Sequence, residues 1–256
     1  MSAPRVYQTE AIVIKRVDLG EADKIATLYT PHLGKLRAVA KGARRPQSKL
    51  GGHVELLTHS QMMLARGRNL DIITQSQTLD SFSPLRNELW RISCGLYLAE
   101  LVDHFTAERI ENPPLFQLLR ETLSWLCQAK EGELLLRYFE LHLLHYLGYR
   151  PQLYYCVRCR SRLQPRVNFF SPADGGVLCP ACKEGQPLAR PLSVNALKAI
   201  RLLQNSDYSL SSKLKVDGEL SAELRQVLRE YISYLLEREV KSIALLDRLK
   251  ELEFAG

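Results

Sequence analysis

The sequence has no apolar stretch approaching the roughly 18 residues that a membrane-crossing helix requires. Its one early apolar run, Ala11-Ile12-Val13-Ile14, is cut off by Lys15-Arg16, far short of the hydrophobic segment of an export signal. A cytoplasmic protein is expected, in a compartment where thiols stay reduced and disulfides are rare. Also missing are a phosphate-cradling P-loop, a GxGxxG after a strand and an HExxH zinc-hydrolase motif. The acids are not clustered as in a two-metal nuclease. No catalytic set and no small-molecule site emerge, so a non-enzymatic protein is expected. Internal repeats and low-complexity tracts are absent too.

What is present is an ordinary soluble composition: 256 residues, 46% hydrophobic and 25% charged. That length accommodates two or three domains. The net charge of +7 is unevenly spread. Residues 1–80 carry 12 Lys/Arg against 7 Asp/Glu, and residues 150–190 carry 7 against 2. Residues 81–149 are acidic, and the remainder is balanced. Two separate basic blocks point to a polyanionic partner.

Hydrophobic periodicity divides the chain. Up to about residue 80, short runs of Val, Ile, Thr and Tyr are punctuated at Asp18-Leu19-Gly20, Pro31-His32-Leu33-Gly34 and Gly51-Gly52. Strands are predicted at Tyr7–Val17, Lys24–Thr30, Lys35–Lys41, Val54–Ala65 and Leu70–Leu79. Five strands in this length suit an OB-fold barrel, and an SH3-like barrel or open sheet nearly as well. Beyond Pro84 the period becomes helical, with a face at Leu89, Ile92, Leu96, Ala99, Val102 and Phe105. A second helix opens at Pro113-Pro114, and a third runs from about Glu133 to Leu147. After an interruption at about 152–188, Ser193 and Ser221 are predicted to cap further helices. His142 and His145 are read as ordinary helix-surface residues, and Cys94 and Cys127 as buried structural thiols.

The interruption holds two CxxC pairs, Cys156-Val-Arg-Cys159 and Cys179-Pro-Ala-Cys182, 19 residues apart. Two such knuckles present four sulfurs to one tetrahedral zinc ion and leave no open position for catalysis. A redox role for the pairs is the main rival. Asp174-Gly175-Gly176 supplies a hairpin turn, and Phe169, Phe170, Val177 and Leu178 offer a miniature core too small to fold without the metal. Arg158, Arg160, Arg162 and Lys183 would offset the thiolate charge or touch phosphates.

From Lys35 to Lys49 there are six cations and no acid. Strand alternation sets Lys35, Arg37, Val39 and Lys41 on one face and Leu36, Ala38 and Ala40 on the other. Arg44, Arg45 and Lys49 follow in a loop. A charged strand face with a cationic loop beside it suits a phosphate backbone. Tyr7, Tyr29 and His32 would stack on bases or pack in the barrel.

Gly20-Glu21-Ala-Asp23-Lys24, Thr30, Gly34-Lys35, Lys41-Gly42-Ala43-Arg44-Arg45 with Ser48, the CxxC pairs flanking Gly175-Gly176, and Lys241-Ser242 resemble the RecO family of bacterial DNA-repair and recombination mediators. The resemblance spans nearly the whole chain and is most specific from Gly20 to Lys49. It implies an α+β multidomain protein: an N-terminal five-stranded OB-fold β-barrel (1–80) and an α-helical domain (81–256) with an inserted four-cysteine zinc finger. It further implies binding of single- and double-stranded DNA, strand annealing, and action with RecR and the single-stranded-DNA-binding protein SSB in loading RecA, at the bacterial nucleoid. The implied DNA surface is Lys35, Arg37, Lys41, Arg44, Arg45 and Lys49; the finger's own arginines, Arg158 and Arg160, are added to it on charge. The implied ligands of one structural Zn²⁺ are the four knuckle cysteines. A zinc-ribbon factor of transcription or RNA metabolism and a nuclease are the rival classes.

Overall fold

A computed structural model describes residues 5–48, 50–130, 132–238 and 240–254; Lys49 lies outside the described residues. The first five strands are β1 (Val6–Leu19), β2 (Asp23–Thr30), β3 (Gly34–Ala40), β4 (His59–Ala65) and β5 (Asp71–Asp80). They close into a barrel of order β1-β2-β3-β5-β4, antiparallel except where β3 meets β5. This is the OB-fold connectivity. β1 is long enough to serve two neighbours. Its first half pairs with β4, its second with β2, and the register shifts between Val13 and Lys15 where the strand turns the corner.

Alternation fills the barrel. Leu36, Ala38 and Ala40 of β3 join Ala11, Val13, Ala26, Leu28, Met62, Leu64 and Ile73 in one buried cluster. Alanine is a poor strand former, but its small side chain suits a narrow interior. The turn into β3 needs glycine. Gly34 has φ +61°, and a Cβ there would lie 2.1 Å from the Ile110 carbonyl oxygen.

The strand expected over Val54–Ala65 is shorter. Gly51–Val54 forms a 3-10 turn, Leu57 takes a left-handed φ of 62°, and β4 begins only at His59. Val13 accepts a hydrogen bond from the Leu57 N–H at 2.8 Å and donates to the Thr58 carbonyl at 3.1 Å. Val54 and Leu57 thereby enter the core from a loop rather than from a strand.

The helices are α1 (Leu89–Phe105), α2 (Pro113–Gln128), α3 (Glu133–Tyr146), α4 (Val194–Asn205), α5 (Tyr208–Ser211), α6 (Gly218–Leu236) and α7 (Lys241–Phe254). The predicted face of α1 is shifted: Leu89 is 61% exposed, whereas Cys94, Leu98, Leu101 and Val102 are buried. This helix packs against β1, α2 and α7, so it is apolar on several sides and its sequence period is blurred. Ser193 does cap α4, accepting the Ala196 N–H at 3.0 Å. Ser221 does not cap α6; it lies one turn inside, and Asp217 accepts the Leu220 N–H at 2.8 Å. Aspartate satisfies a free helix N–H as well as serine does, so the helix begins a turn earlier. His142 is half-buried and bonds through Nε2 to the Leu203 carbonyl at 3.1 Å.

The chain forms two compact units, residues 1–129 with 240–256, and residues 130–239. The division does not coincide with the change of period at residue 80: α1, α2 and α7 group with the barrel. In the first unit the Glu100 carboxylate of α1 accepts the Lys241 and Ser242 N–H groups at 2.9 and 2.8 Å, capping α7. In the second, β6 (Asn168–Ser171), β7 (Gly176–Leu178) and β8 (Arg190–Leu192) form a small antiparallel sheet of order β7-β6-β8. Among the described residues, no helix is long and apolar enough to cross a membrane.

Candidate nucleic-acid interface and metal centre

The four cysteines converge. The sulfurs of Cys156, Cys159, Cys179 and Cys182 all lie within 4.8 Å of one another. Cys159 and Cys179 are 3.7 Å apart, too far for a disulfide and close to the sulfur–sulfur edge of a thiolate tetrahedron with metal–sulfur bonds of about 2.3 Å. The donor set fits one metal ion. Local backbone geometry builds each knuckle. Arg160 N–H returns to the Cys156 carbonyl at 3.0 Å with Arg160 at φ 61°, and Cys182 N–H returns to the Cys179 carbonyl at 3.0 Å.

The thiols are poised unequally. Burial opposes ionisation of Cys156, but the N–H groups of Cys179, Cys159 and Arg158 outweigh it and hold the thiol below its ordinary value. The Ser161 hydroxyl and N–H bring Cys159 down to about 6, whereas hydrogen bonding with Cys159 and Cys179 pushes Cys182 up to about 12. Arg158, Arg160, Arg162 and Lys183 are all exposed. Lys183 lies 4.7 Å above the Phe169 ring.

The miniature core is larger than the spacing of the cysteines indicated. Phe170, Val177 and Leu178 are buried with Leu153 and Leu192, and Phe170 meets Tyr231 of α6 edge-on at 5.3 Å. The knuckles are therefore packed onto helices of their own unit as well as tied to each other.

On the barrel, the cations of β3 have different fates. Lys35 is only 9% exposed; its ammonium donates to the Asp103 carbonyl and to its carboxylate at 3.2 Å. Lys15, which sequence reading passed over, reaches the same carboxylate at 3.0 Å. Burial works against ionisation of Asp103, but Lys15 and Lys35 outweigh it and hold the carboxyl below the usual carboxylate range. Arg37, Lys41, Arg44 and Arg45 are exposed. Arg44 donates to the Gly20 carbonyl at 2.8 Å and lies 3.5 Å from the Asp18 carboxylate. Lys15, Thr27, Lys35 and Arg37 line a cavity of about 380 Å³ with Asp103 and Glu108. A run without acids in sequence thus acquires acids in space.

The candidate aromatics divide as well. Tyr29 is fully buried against Phe116, 6.3 Å between ring centres, and His32 is exposed. Tyr7 donates its hydroxyl to Asp71, which also receives Arg109 at 2.6 Å. Burial and that carboxylate push the Tyr7 hydroxyl up to about 12.

A model of the recombination protein O N-terminal domain matches residues 1–82, and one of the C-terminal domain matches residues 86–244. The chain belongs to the RecO family. It is 48% identical over 248 residues to the DNA repair protein RecO of Roseiflexus sp. (strain RS-1), covering 97% of this chain and 87% of that protein. It is 42% identical over 250 residues to the DNA repair protein RecO of Dehalococcoides mccartyi (strain CBDB1), covering 98% of each. That of Symbiobacterium thermophilum is 38% identical over 248 residues, covering 96% of this chain and 98% of that protein. Membership of the RecO family supports a role in DNA repair and recombination.

Proposed function

We propose that this RecO-family protein is a non-enzymatic recombination mediator in the cytoplasm, at the nucleoid. It binds single- and double-stranded DNA, anneals complementary strands and, with RecR, helps load RecA on SSB-coated DNA. The observation that carries the reading is the exposed cation row Arg37, Lys41, Arg44 and Arg45 along β3 and its following loop. Lys49 extends that row in sequence, and Arg158 and Arg160 of the finger supply a second basic group. Lys35, with its ammonium engaged by Asp103, is assigned to holding β3 in place. RecR, SSB and RecA enter through kinship with RecO.

Annealing joins two polyanions without breaking a bond, so cations that screen both strands suffice and no nucleotide hydrolysis is required. The four cysteines hold one structural Zn²⁺, whose closed shell gives rigidity to the finger and no reactive position. The test reverses Arg44, Arg45 and Lys49 to glutamate. DNA affinity is expected to fall at least about tenfold and the salt slope on duplex DNA to flatten by about 3. Unchanged affinity and slope would remove the loop from the interface. Annealing of SSB-coated complementary strands, with and without the protein, tests mediation directly.

A further inference from the structure

The basic segment of the second unit carries aromatic rings that the metal site does not use. Tyr154 and Tyr155 are 44% and 50% exposed, in the segment just before the first knuckle, with Tyr154 at a bend and Tyr155 bridged to Arg162. Backbone bonds fasten that segment: Leu163 N–H to the Tyr154 carbonyl at 3.0 Å, and Cys156 N–H to the Ser161 carbonyl at 2.8 Å. Tyr154 lies beneath Arg201 of α4, and Tyr155 borders the first knuckle.

The Tyr154 ring is held in place. The Arg201 guanidinium lies 4.7 Å above Tyr154, itself anchored by donating from Nε to the Leu153 carbonyl at 2.9 Å. Asn205 donates to the Tyr154 hydroxyl at 3.1 Å, and Arg150 donates to Asn205 at 2.6 Å. Tyr155 lines, with Gln152, Cys156, Val157, Arg160 and Asp174, a cavity of about 530 Å³, within the size range of small-ligand sites. Exposed aromatic surface fixed in advance loses little entropy on binding. Cations flanking exposed rings suit the phosphates and bases of an unpaired strand.

We propose that Tyr154 and Tyr155, flanked by Arg150, Arg158 and Arg160, form a second DNA-binding surface that stacks the bases of a single strand. The proposal rests on the DNA-binding reading and adds to it a surface within residues 130–239, distinct from the barrel. Duplex DNA, whose bases are already stacked, gains nothing from the rings. Asp174, which accepts the Ser171 hydroxyl at 2.6 Å, lines the same cavity and would repel a phosphate there.

The experiment compares the full chain with Tyr154→Ala/Tyr155→Ala and Tyr154→Phe/Tyr155→Phe, titrated against labelled oligothymidine and against a mixed-sequence duplex. The alanine pair is expected to lose at least about fivefold in single-strand affinity with duplex affinity unchanged, because stacking on an aromatic is worth about 1–3 kcal/mol per base. The phenylalanine pair keeps the rings and is expected to bind as the original does. Unchanged single-strand affinity in the alanine pair overturns the proposal. So does an equal loss on duplex, or an equal loss in the phenylalanine pair. Photo-crosslinking of the unaltered protein to an oligonucleotide carrying 5-iodouracil supplies a readout independent of variant folding. Adducts at Tyr154 or Tyr155 support the surface, and their absence overturns it. The glutamate reversals in the barrel loop weaken both DNA forms, so failure of that reading is separable from failure of this one.

Discussion

The barrel and the cysteine finger are both basic, yet they are built and charged by opposite means. The barrel encloses an apolar cluster from all five strands and ties part of its positive charge to Asp103, through buried Lys35 and exposed Lys15. The finger has three short strands, a small core shared with α6, and four convergent sulfurs, and its arginines Arg158, Arg160 and Arg162 stay exposed. A basic stretch of sequence is therefore not one kind of thing. In the barrel some cations are structural members. In the finger they are outward-facing.

The largest effect should come from the four-cysteine site, proposed to hold zinc. A strong chelator, or Cys156→Ser, is expected to release one equivalent of zinc and to abolish hydrogen-exchange protection across the knuckles and β6–β7. Structural zinc contributes about 10–16 kcal/mol of apparent binding free energy in isolated finger peptides. Barrel amides should keep their protection; if both regions lose it together, the contrast fails. Next in size is Leu36→Ala, which opens a void in a fully buried position of the barrel. It should cost about 2–5 kcal/mol in urea unfolding without releasing metal.

Acid offers a subtler separation. Asp71 is buried, which opposes its ionisation, but the Tyr7 hydroxyl and Arg109 outweigh this and hold its carboxyl below the ordinary value, as Lys15 and Lys35 do for Asp103. A depressed folded-state value means the stabilisation is fully present above the unfolded carboxylate value near ~4 and is lost as pH falls through the folded one. Urea midpoints of the barrel should therefore drop below about pH 4, and Asp71→Asn should flatten that part of the profile. The smallest effect on stability should come from Arg45→Ala, within about 0.5 kcal/mol, while DNA affinity falls. Lys35→Ala should do the reverse, lowering stability by leaving Asp103 short of a partner and leaving direct DNA contacts in place.

Much of this was legible in the residues. The alternation of β3, the turn at Gly34, the proline-opened α2, the Ser193 cap and the paired CxxC knuckles are local signals whose causes lie within a few positions. The engagement of Lys35 was not legible, because Asp103 sits 68 residues away and only the closed barrel brings it near. The face of α1 was blurred by packing on several sides. At α6 two residues suited to capping stood four apart, and Asp217 took the place assigned to Ser221. The Tyr154 platform escaped notice because its partners, Arg201 and Asn205, come from a helix about fifty residues on.

The return of α7 to α1 has a consequence for biosynthesis. Translation makes the whole of residues 130–239 before the helix that Glu100 caps exists. The nascent first unit must wait with one flank of α1 uncovered while the second unit emerges and folds. A chain stopped shortly after residue 239 would present that flank to chaperones, and the α7 helix, once free of the ribosome, would hide it.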